Sequence, residues 1–171
     1  WFKNNNFPVD LSIHKRYDTT EDWYQGSRLQ GPNGTRPSSS VQESVISTDY
    51  WKWDYMEGWN SYTGGTNAGN YISYQFKRHA GCDVVTYKGT GSARQIPHSL
   101  SKIPEMLWIK CRDDDKSWIV GHKDLNGGVN SEQYHLYLNL TNGEIDDDIF
   151  NDTAHTSTHF NVKTSQNVNG T

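Results

Sequence analysis

"YHLYLNL" at residues 134–140 is the stretch of the sequence that decides the fold class. Large apolar or aromatic side chains occupy every second position, at Tyr134, Leu136, Leu138 and Leu140. Successive side chains of a β-strand point to opposite faces of a sheet, so this alternation predicts a strand with one buried face. We therefore expect the tyrosine and the three leucines to face a core.

Other short runs have the same character, because they are rich in β-branched and aromatic residues and are bounded by Gly, Asn, Asp or Pro. They are "YISYQF" (residues 71–76), "CDVVTY" (82–87), "MLWIKC" (106–111) and "SWIVGH" (117–122). The segment "QGPNGTRPSSS" (residues 30–40) is rich in turn residues and predicts an exposed loop. The sequence thus predicts an all-β fold, most simply an antiparallel β-sandwich.

Composition points to the same class. Ser, Thr, Asn and Gly supply 60 of the 171 residues, whereas Ala supplies four and Leu eight, and this balance favours turns and strands over helices. The hydrophobic fraction is only 33%, but seven Trp, ten Tyr and five Phe can build a core from few side chains. The net charge of −4 argues against a nucleic-acid partner, and no run has the length of a membrane span, so we predict no membrane insertion.

The densest aromatic stretch is "DYWKWDYMEGWNSYTGG" (residues 49–65). In its first half Trp51, Trp53 and Tyr55 alternate with Lys52, Asp54 and Met56, which predicts a half-buried strand with the three aromatic side chains in the core. The second half follows Gly58 in a segment of Gly, Ser, Thr and Asn, where a loop is expected. Exposed aromatic side chains on loops are typical of binding or assembly surfaces. The candidate binding residues are Trp59, Asn60, Tyr62 and Asn67.

Two segments of the sequence share the same order of residue types. "WFKNNNFPVDLSIHKR" begins at Trp1 and "WIKCRDDDKSWIVGHKD" begins at Trp108, and both contain Trp-x-Lys, a polar turn, an apolar run and His-Lys. This shared order predicts tandem modules. Residues 1–80 are then the C-terminal part of a first β module, and residues 81–171 are a second, similar module that lacks its last strand. Since the chain does not start with Met, we expect it to be a piece of a longer polypeptide.

Residues 81–125, "GCDVVTYKGTGSARQIPHSLSKIPEMLWIKCRDDDKSWIVGHKDL", resemble a module of structural proteins of tailed phages, particularly marine ones. That family reads Gly-Phe-Asp, a strand ending in Thr-Tyr, a Gly-rich turn and Ile-Pro-His-x-Leu, then Pro-Glu-Met, an Arg-Asp turn, a Trp-containing strand and His-Lys. The matching residues are Gly81, Asp83, Tyr87, Gly89, Ile96, Pro97, His98, Leu100, Pro104, Glu105, Met106, Lys110, Arg112, Trp118, His122 and Lys123. Downstream, "LYLNLTN" (residues 136–142) and "FNDTAHTSTHF" (150–160) continue the likeness, whereas Cys82 replaces the usual aromatic residue.

The resemblance implies a concanavalin-like or jelly-roll β-sandwich in a tail fibre or a head decoration, without enzymatic activity. The expected partners are other copies of the chain or neighbouring virion proteins, with a host-surface glycan as a further candidate. The expected location is the surface of the virus particle. The alternative is a lectin-like carbohydrate-binding module or adhesin, in which exposed aromatic rings stack on sugars. A glycan-cleaving enzyme has no positive support in the sequence.

Metal and thiol chemistry have weak support, and we predict no required cofactor. The acidic run "IDDDI" contains candidate calcium ligands, although a polar turn between strands explains such a run more simply. These candidates are Asp146, Asp147 and Asp148. Cys82 and Cys111 lie beside strand-like runs, and the sequence does not decide whether they form a disulfide.

Overall fold

Strands dominate the structure, a computed structural model, and the strands that pair within its described residues run antiparallel. The fold is therefore all-β, as the sequence predicts. The residues that the structure describes are 2–3, 5–46, 51–61 and 69–171.

The chain divides into two compact units. The first unit comprises residues 1–37 and 43–84, and the second comprises residues 38–42 and 85–171. The second unit thus begins close to the predicted module boundary after residue 80, but it also includes the short segment 38–42. Each unit has a hydrophobic core of its own.

Strands β1 to β8 form the sheets of the first unit. Their bounds are Phe2–Lys3 (β1), Leu11–Arg16 (β2), Tyr24–Ser27 (β3), Asn33–Gly34 (β4), Ser44–Val45 (β5), Trp51–Tyr55 (β6), Gly58–Ser61 (β7) and Tyr71–Phe76 (β8). One sheet has the order β1-β7-β6, a second has the order β3-β2-β8, and β4 pairs with β5.

Tryptophan side chains fill the core of the first unit. Trp51 and Trp53 of β6 are buried, while the intervening Lys52 is exposed. From the β3-β2-β8 sheet, the His14 ring approaches Trp51 with their centroids 5.4 Å apart. Trp51 also lies on the backbone of β3, where a Cβ on Gly26 would stand 2.2 Å from its ring. The prediction of a buried face is confirmed for the two tryptophans, whereas Tyr55 is only half-buried. The two sheets that enclose the tryptophans form a sandwich.

The second unit is built from strands β9 to β14 and one short helix. Their bounds are Arg94–Pro97 (β9), Met106–Ile109 (β10), Ile119–His122 (β11), Tyr134–Tyr137 (β12), Ile145–Asp146 (β13), His159–Val162 (β14) and Gln166–Asn169 (α1). Two 3-10 turns, Leu125–Gly128 and Ser131–Gln133, precede β12. The sheets have the orders β10-β11-β12-β13 and β14-β9.

Aliphatic and phenylalanine side chains make the core of the second unit. Ile109 and Ile119 from the larger sheet belong to the same buried cluster as Ile96, Phe160 and Val162 from the β14-β9 pair. The second unit is therefore also a two-layer β arrangement. A jelly-roll or concanavalin-like strand order stays a prediction from the resemblance.

The predicted buried face of residues 134–140 is wrong. Strand β12 ends at Tyr137, and its core-facing side chains are His135, which is fully buried, and Tyr137. Leu140 is exposed, because the chain has already turned, with Asn139 Oδ1 accepting the backbone N–H of Trp118 at 2.9 Å. The alternation correctly indicates a strand with two different faces. Because the buried residue is His135, the face that points to the core is the opposite of the one that hydrophobicity predicts.

Residues 82–87 do not join a sheet among the described residues. Their apolar side chains still serve the core, since Val85 and Tyr87 pack against the buried cluster. The Tyr87 hydroxyl donates to the carbonyl of Val168 at 2.7 Å. This segment therefore has the composition of a strand but is held by side-chain contacts.

The predicted exposed loop at residues 30–40 is partly buried. Thr35 and Gln25 exchange backbone hydrogen bonds of 2.8 and 2.9 Å, and both side chains are buried. Gly34 lies against Trp51, whose ring atoms would be 2.4 Å from an added Cβ. Because Gly34 has no side chain, the backbone of this segment can lie directly against the Trp51 ring.

The two segments of the predicted repeat pair differently. In the second unit β10 pairs with β11, placing Ile109 opposite Ile119. In the first unit β1 pairs with β7, and β2 pairs with β3 and β8. Trp1 lies outside the described residues. A tandem origin of the two units stays a prediction.

Candidate functional site

The leading aromatic candidate, Trp59, belongs to the core, so its prediction as an exposed loop residue is wrong. Its side chain is 1% exposed, and its ring lies parallel to that of Trp53, with centroids 5.0 Å apart and an interplanar angle of 11°. The cause is a tight hairpin: Met56 and Glu57 form the turn, so Gly58 begins strand β7. The sequence predicts a loop after Gly58, whereas in the structure Gly58 starts a buried strand.

The other three binding candidates are not brought into a described site. Asn60 lies in β7, where its backbone is opposite Lys52. Tyr62 and Asn67 lie outside the described residues. Their binding roles stay predictions.

The candidate calcium ligands do not converge. Asp148 is ion-paired with Lys163, while Asp146 and Asp147 are exposed. In the described part of the chain, no group of three His, Cys, Asp or Glu side chains is placed to hold a metal ion. The structure therefore gives no support to a calcium site here.

The two cysteines are free thiols, and each is half-buried. For Cys82, burial raises the pKa of the thiol, and the neighbouring carboxylates of Asp83 and Asp10 raise it further. A thiol with a raised pKa is mostly protonated near neutral pH and is a poor nucleophile. The environment of Cys82 is therefore that of a structural residue.

Strand β8 has its polarity inverted. Ser73 and Gln75 are half-buried and share the inner face of the sheet with the buried Ser12. Ser73 is 3.0 Å from the hydroxyl of Ser12, and Gln75 accepts from the side chain of Asn5. The alternate residues Ile72, Tyr74 and Phe76 point outward and are 38%, 51% and 38% exposed. We call these three side chains the outward face. An apolar face turned to solvent, with polar groups inside, is typical of an interaction surface.

Strand β8 is also a sheet edge. Over the residues that the structure describes, β8 pairs only with β2, and its six residues carry no charge. Trp23 stacks beside Tyr74 with ring centroids 6.1 Å apart, which widens the apolar surface. Soluble proteins usually protect such edges with charged residues, Pro or bulges, since an uncharged edge strand is a template for further pairing.

A cleft of about 200 Å³ opens in the second unit. It lies where β10 begins and β11 ends, beside the second 3-10 turn and the segment that follows β13. Its floor contains Leu107, Gly121 and Phe150. Phe150 rests on the backbone of Gly121, where an added Cβ would be 3.0 Å from the phenyl ring. Because Gly121 has no side chain, the Phe150 ring can occupy the space next to its backbone.

Polar groups of both signs surround the cleft. The acidic and basic side chains are Glu105, Lys123, Glu132, His122 and His155. Glu105 and Lys123 approach each other at 3.5 Å on the exposed rim. The hydroxyl-bearing Ser131 lies beside them in the lining. Hydrogen-bond donors and acceptors therefore meet within one small concave surface.

Backbone hydrogen bonds orient the two histidines of the cleft. The backbone N–H of Asn161 donates to His155 Nδ1 at 3.3 Å, and that of Asp124 donates to His122 Nδ1 at 3.2 Å. In the neutral form, each imidazole therefore carries its hydrogen on Nε2. The remaining ring nitrogen of each histidine is a hydrogen-bond donor.

The protonation state of His155 follows from its surroundings. Burial lowers the pKa of His155, Glu132 opposes this shift, and His98 adds to it. The ring also stands edge-on to Phe150, with centroids 5.3 Å apart. His155 is therefore neutral at physiological pH, which gives the cleft a neutral donor beside two carboxylates.

Comparison with known families gives one match. The domain of unknown function DUF7483 matches residues 25–171. The chain belongs to the DUF7483 family. No match is found among curated proteins or among solved structures. Both the outward face of β8 and the cleft lie within the matched residues, so both belong to the DUF7483 part of the chain.

Four residues of the cleft lie in one short segment of the sequence. Glu105, Met106, His122 and Lys123 all lie in the motif-rich segment 81–125, and the structure places all of them in the cleft. The antiparallel pairing of β10 with β11 sets Met106 opposite His122. Glu105 and Met106 are separated from His122 and Lys123 by the turn between β10 and β11, and the pairing of these two strands brings them together. Among the described residues, no helix is long and apolar enough to cross a bilayer.

Proposed function

We propose that this DUF7483 chain is a non-enzymatic structural module of a tailed-phage virion, of the tail-fibre or head-decoration type, that assembles through strand β8. The inverted polarity of β8 carries the proposal. The likeness of residues 81–125 to phage structural modules supports the virion context and the surface of the particle as its location. A jelly-roll topology and attachment to a host surface belong to the same proposal.

Exposure of the outward face has an energetic consequence. Burying apolar surface contributes about 25 cal/mol per Å², and Ile72, Tyr74 and Phe76 are each at least a third exposed. Polar side chains at positions 72, 74 and 76 would leave the interior of the sandwich unchanged, because Ser73 and Gln75 make the inward contacts of β8. The apolar choice therefore favours a surface that is covered in the assembled state.

A second copy of the chain fits this edge. If two β8 strands pair antiparallel with Tyr74 on the twofold axis, Ile72 lies opposite Phe76 of the second copy. All three outward side chains then stay on one face, as the two-residue period requires. The strand has no charge to oppose this pairing. A twofold interface of this kind is self-complementary, and it extends the three-stranded sheet of each copy.

The change Tyr74→Lys tests assembly through β8. Two lysines facing each other across the axis would repel, and like charges in contact cost several kcal/mol, so we expect self-association to weaken by at least about tenfold. Sedimentation equilibrium of the whole chain measures the association constant. The control is Tyr17→Lys, since Tyr17 is 64% exposed and lies outside β8.

The two variants separate the possible outcomes. Loss of association in Tyr74→Lys with retention in Tyr17→Lys supports the proposal. A wild-type chain that stays monomeric at high concentration would contradict it, and so would equal association of all three proteins. Circular dichroism of Tyr74→Lys checks that the exposed substitution leaves the fold intact.

A further inference from the structure

We infer that the cleft of the second unit binds a neutral, hydroxyl-rich ring, such as one residue of a surface polysaccharide, because its lining presents donors, acceptors and an apolar wall together. This inference concerns a different surface from β8 and does not depend on assembly there. It also concerns other residues than the lectin hypothesis of the sequence, which rested on Trp59, Asn60, Tyr62 and Asn67.

Size limits the occupant of the cleft. Drug-sized ligands occupy clefts of ~300–1,000 Å³, whereas this cleft has about 200 Å³. One sugar ring is of suitable size, and a longer saccharide would extend past the exposed rim. On that rim Met106 and Glu105 are exposed, so a neighbouring sugar residue has a free path to solvent.

Charge excludes the ionic alternatives. An anion such as a phosphate or an acidic sugar would meet the carboxylates of Glu105 and Glu132, and the Lys123 ammonium is already paired with Glu105 at 3.5 Å. A cationic side chain such as arginine offers donors only. It would offer no acceptor to the Nε2–H groups of His122 and His155, which line the cleft. A ligand that both donates and accepts hydrogen bonds can pair with the carboxylates as well as with the imidazole N–H groups.

The hydroxyl groups of a sugar match the polar lining. Glu105 and Glu132 are acceptors for hydroxyl hydrogens, and the two imidazole Nε2–H groups are donors to hydroxyl oxygens. Hydrogen bonds to charged groups are the stronger ones in such sites. Each sugar ring also has an apolar C–H face, for which Met106 and Pro104 provide an apolar wall.

The test is binding of the whole chain to a printed array of neutral and sialylated oligosaccharides, with the variants Glu132→Ala and Glu21→Ala. Glu132 lines the cleft, whereas Glu21 is exposed in the first unit and serves as the control. Because hydrogen bonds to a carboxylate are the stronger ones, Glu132→Ala is expected to weaken retention by about tenfold or more. Glu21→Ala is expected to bind as the parent does.

The array distinguishes the inference from its rivals. Retention of neutral saccharides that Glu132→Ala loses and Glu21→Ala keeps supports the cleft as a carbohydrate site. Absence of retention on the array, retention confined to sialylated glycans, or equal binding by both variants would each overturn it. Because Tyr74→Lys leaves the cleft unchanged, its binding on the same array is expected to equal that of the parent, whatever its state of association.

Discussion

Replacing Trp59 with alanine is expected to lower the free energy of unfolding of the first unit by about 3–5 kcal/mol. The indole is 1% exposed, lies parallel to Trp53 and contacts the ring of His14 at a centroid distance of 4.8 Å. Its removal deletes buried area and leaves a cavity between two sheets that cannot close fully. Urea unfolding followed by near-ultraviolet circular dichroism measures the effect.

The matched control for Trp59→Ala is Met56→Ala in the same hairpin. Met56 is 78% exposed, so its change is expected to alter stability by less than about 0.5 kcal/mol. If Trp59→Ala unfolded at the same urea concentration as the parent, the assignment of Trp59 to the core would be wrong. Since the side chain is buried, any loss of ligand binding in Trp59→Ala reports unfolding and identifies no ligand contact.

Acidification is expected to destabilise the first unit through His14. Burial lowers the pKa of His14 from 6.5 to about 4, because the charged imidazolium cannot be solvated among Trp51, Trp59 and Tyr24. The stabilising state is the neutral ring. Its contribution is complete above pH 6.5 and is lost as the pH falls towards 4, since the unfolded chain then binds a proton that the folded chain excludes. At about 1.36 kcal/mol per pKa unit, the loss is about 3 kcal/mol.

The variant His14→Gln isolates this effect. Glutamine keeps a polar side chain but does not titrate, so we expect the variant to be less stable than the parent at pH 7 and to lose less stability between pH 7 and pH 4. Urea unfolding at both values gives the two differences in the free energy of unfolding. His135 and His155 of the second unit also have pKa values lowered by burial, so the acid sensitivity of that unit is expected to persist in the variant. An unchanged pH dependence in His14→Gln would contradict the role of His14.

Local patterns predicted the elements whose two faces differ strongly. Strand β6 was predicted correctly, because tryptophan alternates there with lysine and aspartate. The run at residues 71–76 was also predicted as a strand, and β8 has those bounds. Sequence could not show that β8 turns its apolar side chains outward, because that depends on which neighbouring strand supplies the interior. Ser12 of β2 is far away in sequence, and its contact with Ser73 decides the matter.

The positions of the candidate site residues depend even more on contacts between residues that are distant in sequence. Trp59 looked like a loop residue because Gly58 and Asn60 are turn formers, but a two-residue turn at Met56 and Glu57 places them in a strand. The cleft could not be predicted from spacing, since His122 and His155 come from different elements and meet only in the folded unit. Propensity describes a segment, whereas a site is set by tertiary contacts.

Cysteine cross-linking at position 74 tests the proposed assembly most directly. Residues directly opposite each other in an antiparallel pair have Cα atoms about 4.5–5.5 Å apart, within the range of about 4.4–6.8 Å that a disulfide spans. In the chain with Cys82 and Cys111 replaced by serine, we predict that Tyr74→Cys forms an intermolecular disulfide rapidly under mild oxidation, whereas Tyr17→Cys does so slowly. Equal, slow cross-linking at the two positions would contradict pairing of β8 with a second copy.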